Sequence, residues 1–185
     1  SSDLKDLLAQ GKTRKIKVGG TFVGGIDHIT AFTFAKKANM QMNYIPYKGG
    51  GNIVTSLIGG DIEIGVLNLS EADSQIKAGE ISPLIVLAAK RMGPIPDVPT
   101  SVELGLDVKF STVRGFVTLK GPSAANLKTL EKGIVKAMKH KYFQGFLAEN
   151  GLGPDSVVGA EGWNAQIKDL YRDTAATLKE LGMAK

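Results

Sequence analysis

Hydrophobic positions in the first half of the chain alternate between two periods. Leu4, Leu7 and Leu8 share one face of a short helix that Ser2 can cap and Gly11 can end. Lys15 to Val18 switches polar with apolar, as a half-buried strand does. A glycine-rich turn follows, and Asp27 is placed to cap a helix whose apolar face includes Ile29, Phe32, Phe34 and Ala35. Met42 to Ile45 predicts a second strand, and Ile53, Val54, Leu57 and Ile58 a helix stopped by Gly59 and Gly60. A third strand is expected over Ile62 to Leu67 and a helix over Ser70 to Ala78. The uninterrupted apolar run Leu84 to Ala89 fits a strand buried on both faces.

This β-α-β-α-β-α-β order over residues 15–90 predicts an α/β fold with a mainly parallel sheet. In such sheets the ligand crevice lies beyond the carboxyl ends of the strands. The loops 19–27, 46–51 and 68–71 all fall on that edge. Residues 91–100, with Pro94, Pro96 and Pro99, cannot form a regular element and read as a surface connection. Val108 to Leu119 is strand-like, interrupted by Arg114-Gly115. Two amphipathic helices, Ala124 to Lys139 and Lys141 to Glu149, a short strand around Ser156 to Val158 and a helix from Glu161 to Leu181 complete the prediction.

Composition changes this picture in one respect. Glycine makes up 23 of 185 residues, about 12% against a usual 7%. The clusters Gly19-Gly20, Gly24-Gly25 and Gly49-Gly50-Gly51 sit between a strand and a helix start, where unpaired N–H groups and the helix dipole favour an anion. Neither the P-loop pattern nor G-x-G-x-x-G is met, so the specific nucleotide signatures fail while the general physics of an anion site remains. The net charge of +5 comes from dispersed lysines. The one dense cluster, Lys12, Arg14, Lys15 and Lys17, reads as a solvated turn and edge strand, so no nucleic-acid partner is expected. With no cysteine, disulfide staples and thiolate chemistry are excluded. No apolar run approaches bilayer length.

Catalytic templates find no support. The two histidines, His28 and His140, lie in different halves of the chain, and H-E-x-x-H and G-x-S-x-G are missing. Asp61 and Glu63 point to one face but sit at an exposed strand start. No catalytic residue, metal site or cofactor is therefore assigned. Binding is better served: Thr21, Asp27, Tyr47, Lys48, Asn68 and Ser70 add hydroxyl, amide and cationic groups to the converging N–H donors, a set that suits a small carboxylate.

The run Tyr44-Ile45-Pro46-Tyr47-Lys48-Gly49-Gly50-Gly51, with Leu57-Ile58-Gly59-Gly60 after it, resembles the periplasmic solute receptors of the tripartite tricarboxylate transporters, the Bug-type receptors. The likeness continues through Gln75 to Gly79, Lys90-Arg91, Pro96 to Thr100, Glu103, Gly105, Arg114-Gly115 and Lys120-Gly121. It implies a periplasmic-binding-protein type II-like fold whose two lobes close on a carboxylated solute and deliver it to membrane permease subunits, without catalysis. On that resemblance residues 12–107 form one complete βαβ lobe. Residues 108–185 form the C-terminal part of the other lobe, and 1–11 a partial helix between them. Thr21, Gly24, Gly25, Asp27 and His28 would hold a ligand carboxylate, Tyr47, Lys48 and Gly49 a second wall, Asn68 and Ser70 a third, and Arg114 would lie near the crossing between lobes.

The chain departs from the family pattern at Phe22, Gly25, Leu67 and Val113. Family receptors also begin well upstream of Ser1. The resemblance thus implies a receptor lacking its N-terminal part, with apolar surface exposed on 108–185 and a possible homodimer through it. Three rival readings stand beside the receptor: an effector-sensing domain of a transcription regulator, a phosphate-ligand enzyme on an α/β sheet, and a truncated protein without ligand.

Overall fold

The computed structural model describes residues 4–110 and 112–183 and divides into two compact units, Ser1–Ser111 with Thr177–Lys185, and Thr112–Ala176. The first unit is built by alternation. Helix α1 (Leu4–Thr13) leads to strand β1 (Ile16–Gly20), helix α2 (Ile26–Lys37), strand β2 (Met42–Pro46), helix α3 (Gly50–Ile58), strand β3 (Ile64–Gly65) and helix α4 (Leu69–Lys77). The three strands are parallel in the order β2-β1-β3. β1 pairs with β2 from Ile16 opposite Met42 to Gly20 opposite Pro46, and with β3 through Val18 opposite Ile64 and Gly19 opposite Gly65.

Being central, β1 carries the core: Ile16 and Val18 are sealed from water among Leu7, Ala31, Phe34, Ala35, Met40 and Val108. The strands run the same way, so all three open their carboxyl ends on one edge, as the glycine-rich loops require. The α/β reading is thereby met.

Several local expectations are corrected. Ser2, the expected cap of α1, lies outside the described residues. Gly11 does not end α1; it is buried within the helix, where a Cβ would collide with the Met40 side chain, and its carbonyl accepts the Gln41 N–H at 2.7 Å. The third strand is shorter than Ile62 to Leu67. Glu63 N–H donates to Lys17 and Val66 N–H to Gly19, but Ile62 N–H turns back to Ser56, which leaves only Ile64–Gly65 in the ladder. Asp61 and Glu63 thus precede the strand, and Glu63 is bound by the Arg14 guanidinium and the Lys17 N–H.

The run Leu84 to Ala89 is not a sheet strand: Val86 makes an isolated parallel bridge with Thr100, and the chain bends at Ala88. Val86 exchanges bonds with Pro99 and Ser101, while Leu87 accepts from Phe110, so its hydrogen bonds go to two different segments. The proline-rich connection is pinned at its ends. Glu103 accepts the Thr100 N–H at 2.8 Å, Thr100 Oγ1 accepts the Glu103 N–H at 3.1 Å, and Arg91 bridges Glu103 to the Pro96 carbonyl. That reciprocal Thr100–Glu103 pair has the form of a capping box.

The second unit holds helices α5 (Ala124–Met138) and α6 (Lys141–Glu149), a 3-10 turn (Pro154–Ser156) where a short strand was expected, and most of helix α7 (Ala160–Glu180). Ser123 caps α5 and His140 caps α6 through their side chains. Among the described residues Leu147 is its one buried hydrophobic side chain, while Phe116, Val117 and Leu119 stand in water at 69%, 90% and 87% exposure. The strand-like stretch from Val108 to Leu119 accordingly forms no ladder among its described residues. Trp163 of α7 packs directly over Gly115, where any Cβ would strike the indole.

Candidate functional site

The carboxyl end of β1 carries a polar cluster. Beyond Gly20 the chain turns, with Gly25 N–H bonded to the Phe22 carbonyl at 3.0 Å and Gly24 at φ +82°, a conformation that favours glycine. Helix α2 then starts with Gly25 as its N-cap, in extended geometry and without a side-chain cap. The expectation that Asp27 caps α2 is therefore corrected. Asp27 sits in the first turn and reaches back to Thr21, taking its N–H at 2.9 Å and its hydroxyl at 2.7 Å. A carboxylate in the first turn of a helix is also favourably placed against the helix dipole.

His28, one residue on, is fixed by the same turn. Its Nδ1 accepts the Gly24 N–H at 3.1 Å, so the neutral ring carries its proton on Nε2. Partial burial lowers its pKa from the ordinary histidine value and so favours that neutral form. The Tyr44 ring of β2 lies 4.3 Å from the imidazole centroid to centroid, tilted by 37°. The Tyr44 hydroxyl donates to the Thr21 carbonyl at 2.5 Å. Burial, with the Asp27 charge adding to it, pushes the Tyr44 pKa well up, so the phenol remains a donor. Gly20 makes room for this: a Cβ there would overlap the Tyr44 hydroxyl and the Asp27 side chain.

The second loop is tied to the first. Tyr47 N–H donates to the Gly20 carbonyl at 2.8 Å, and the Tyr47 ring lies over Gly19. Lys48 is exposed and makes no ion pair among the described residues. Gly49, extended at φ 174°, is the N-cap of α3, and Gly50 is buried beneath the Glu71 carboxylate. In the third loop Asn68 is the N-cap of α4, and Glu71 accepts both its N–H at 2.8 Å and its side-chain amide at 3.0 Å. Ser70 is exposed in the first turn of that helix.

The structure thus bonds Thr21 to Asp27 and Gly24 to His28 within one turn, with Gly25 as the N-cap of α2, joins Tyr47 to that turn through Gly20, and places Asn68 and Ser70 at the start of α4. Arg114 belongs to the second unit, in the irregular, exposed segment before α5. Two residues of the site escaped the sequence reading. Tyr44 could have been suspected, because a tyrosine in a half-buried strand needs a partner for its hydroxyl. Glu71 follows Asn68 at capping-box spacing.

Chemically, the first N–H groups of α2, α3 and α4 have no intrahelical acceptor and lie at one edge of the sheet. Among the described residues no three His, Asp or Glu side chains gather as metal ligands. An open surface depression lies elsewhere, in the second unit between α5 and α6, lined by Lys136, His140, Tyr142, Phe143 and Phe146. No described helix is long and apolar enough to cross a membrane.

Comparison with known proteins gives a consistent result. The sequence model of the tripartite tricarboxylate transporter family receptor matches residues 2–183. Protein BugT of Bordetella pertussis is 29% identical over 183 residues, covering 97% of this chain and 56% of its own length. The chain spans about half the length of the curated relatives it matches. Among solved structures, a TctC solute binding protein from Polaromonas superposes with a TM-score of 0.76 at 25% identity, covering 97% of this chain and 61% of that one. An R. palustris protein solved with adipate superposes with a TM-score of 0.71 at 21% identity, over 96% of this chain and 61% of that one.

Proposed function

This chain belongs to the tripartite tricarboxylate transporter receptor family, and from that premise we propose that it binds a small carboxylate in the periplasm and presents it to the membrane subunits of such a transporter, without catalysis. The observation that carries this reading is the convergence of three helix N-termini, those of α2, α3 and α4, on one edge of the parallel sheet. Backbone N–H groups aimed at one place suit a carboxylate, and the positive ends of the helix dipoles add to the attraction. The adipate held by the R. palustris neighbour supports the same ligand class.

In this reading the turn with Thr21, Gly24, Gly25, Asp27 and His28 forms the floor of the site. Its side walls are Tyr47, Lys48 and Gly49, and Asn68 with Ser70. Thr21 acts through its position, since Asp27 already takes both of its donors. The Asp27 carboxylate repels a bare anion and therefore shapes the turn while the N–H groups and Lys48 attract. Residues 12–107 act as the ligand-binding lobe, and residues 108–185 with Arg114 as the returning part of the other lobe.

Isothermal titration with adipate, malate, citrate, an amino acid and a nucleotide tests the proposal. Saturable heat with one carboxylate class is the expected result. Silence with every carboxylate, or binding of the nucleotide alone, overturns it.

A further inference from the structure

We propose that Tyr44 is a positioning residue of the turn between β1 and α2: its hydroxyl holds the Thr21 carbonyl while its ring backs the imidazole of His28, fixing the turn in one shape. Three polar groups of a single residue are engaged here. Thr21 gives its N–H and hydroxyl to Asp27 and accepts the Tyr44 hydroxyl at its carbonyl. A residue held on all three sides leaves its segment little freedom.

The neighbouring peptides show that the arrangement is built around the phenol. Gly20 has no Cβ where the hydroxyl passes, and Gly24 donates to His28 Nδ1 while the Tyr44 ring lies against that imidazole. The titratable groups facing the phenol are His28 and Asp27, both from α2. With Nδ1 engaged by Gly24, the imidazole can rotate only by breaking that bond, and the ring behind it occupies part of the space it would sweep. Tyr44 thereby sets the direction in which His28 presents its Nε2–H, although it need touch no ligand itself.

The proposal rests on the receptor reading for its use, but its geometry can be tested without any ligand. Tyr44→Phe keeps the ring and removes the hydroxyl. In amide hydrogen exchange the N–H groups of Thr21 and Gly24 should exchange roughly tenfold faster in this variant, in proportion to a lost hydrogen bond. The amides of the β1–β2 ladder should keep their rates. Unchanged rates at Thr21 and Gly24 overturn the proposal, and so does an equal acceleration throughout the ladder, which would mark Tyr44 as a packing residue only. Tyr44→Leu, which also removes the ring, should in addition raise the NMR titration midpoint of His28 towards the ordinary histidine value; an unmoved midpoint in the folded variant overturns the role of the ring. With adipate as probe, Tyr44→Phe should bind about three- to tenfold more weakly. Failure of the wild-type chain to bind any carboxylate sinks the receptor reading, while the exchange rates still decide the fate of the clamp.

Discussion

Asp27 holds Thr21 by two hydrogen bonds across a five-residue gap, one to the backbone and one to the side chain. The acidic residue therefore organises the turn from inside instead of capping the helix that bears it. Asp27→Ala leaves both Thr21 donors without an acceptor. The expected cost is about 1–2 kcal/mol in urea unfolding followed through the β1 amides. Asp27→Asn, which keeps one acceptor oxygen, should cost less. Equal stability of wild type and Asp27→Ala would show that water replaces the carboxylate freely.

Gly20 and Gly49 make a matched pair for substitution. At Gly20 an added methyl group meets the Tyr44 hydroxyl and the Asp27 side chain, whereas at Gly49 it meets nothing and the backbone is extended. Gly20→Ala should destabilise by about 1–3 kcal/mol, and Gly49→Ala should be close to neutral in the same denaturation series. A Gly20→Ala protein as stable as wild type would contradict the close approach of Tyr44.

The neutral state of His28 gives a pH dependence with a definite sign. Its folded pKa is lowered by burial, so between that value and the ordinary 6.5 the unfolded chain binds more protons than the folded one. Stability from this source is complete above about pH 6.5 and declines as the pH falls through the folded value. Protonation also turns Nδ1 from an acceptor into a donor facing the Gly24 N–H. Urea midpoints measured from pH 7.5 to pH 5 should fall less steeply in His28→Gln than in wild type. Parallel slopes would remove His28 from the acid response.

Asn68 and Glu71 cap α4 from both sides. Asn68→Ala should cost about 1 kcal/mol of stability, visible as faster amide exchange in the first turn of α4. Unaltered exchange there would mean that Glu71 alone suffices.

Lys48 separates stability from binding. It is exposed and without an ion pair among the described residues, so Lys48→Gln should leave the urea midpoint where it is. Carboxylate affinity should drop about two- to fivefold, and the loss should shrink as salt is added, as expected for an exposed charge. A shifted midpoint, or an affinity difference that ignores salt, would contradict this role.

The α/β order and the edge on which the loops meet were legible in the chain because glycine pairs punctuate a clean change of hydrophobic period from Lys15 to Ile58. What escaped depended on partners distant in sequence. Leu84 to Ala89 has the composition of a buried strand, yet its hydrogen bonds are divided between residues 99–101 and Phe110, which no local pattern announces. Gly11 reads as a terminator from propensity alone, but its role is set by Met40, a contact made only after folding. Asp27 looked like a cap because acidic residues favour helix starts; Gly25 took the cap, and the carboxylate found Thr21. The family likeness pointed to the loops proposed as the site. It did not reveal Tyr44, whose function depends on a carbonyl 23 positions earlier in the chain.

The contact between Trp163 and Gly115 has a spectroscopic consequence. Trp163 is the one tryptophan of the chain, and it lies with Gly115 in the second unit. Intrinsic tryptophan emission therefore has its source in the second unit. Tyrosine emission is shared between the units, Tyr44 and Tyr47 in the first and Tyr142 and Tyr171 in the second, so the ring that clamps Thr21 becomes a fluorescent reporter of its own environment only in a chain from which Trp163 and the other three tyrosines have been removed.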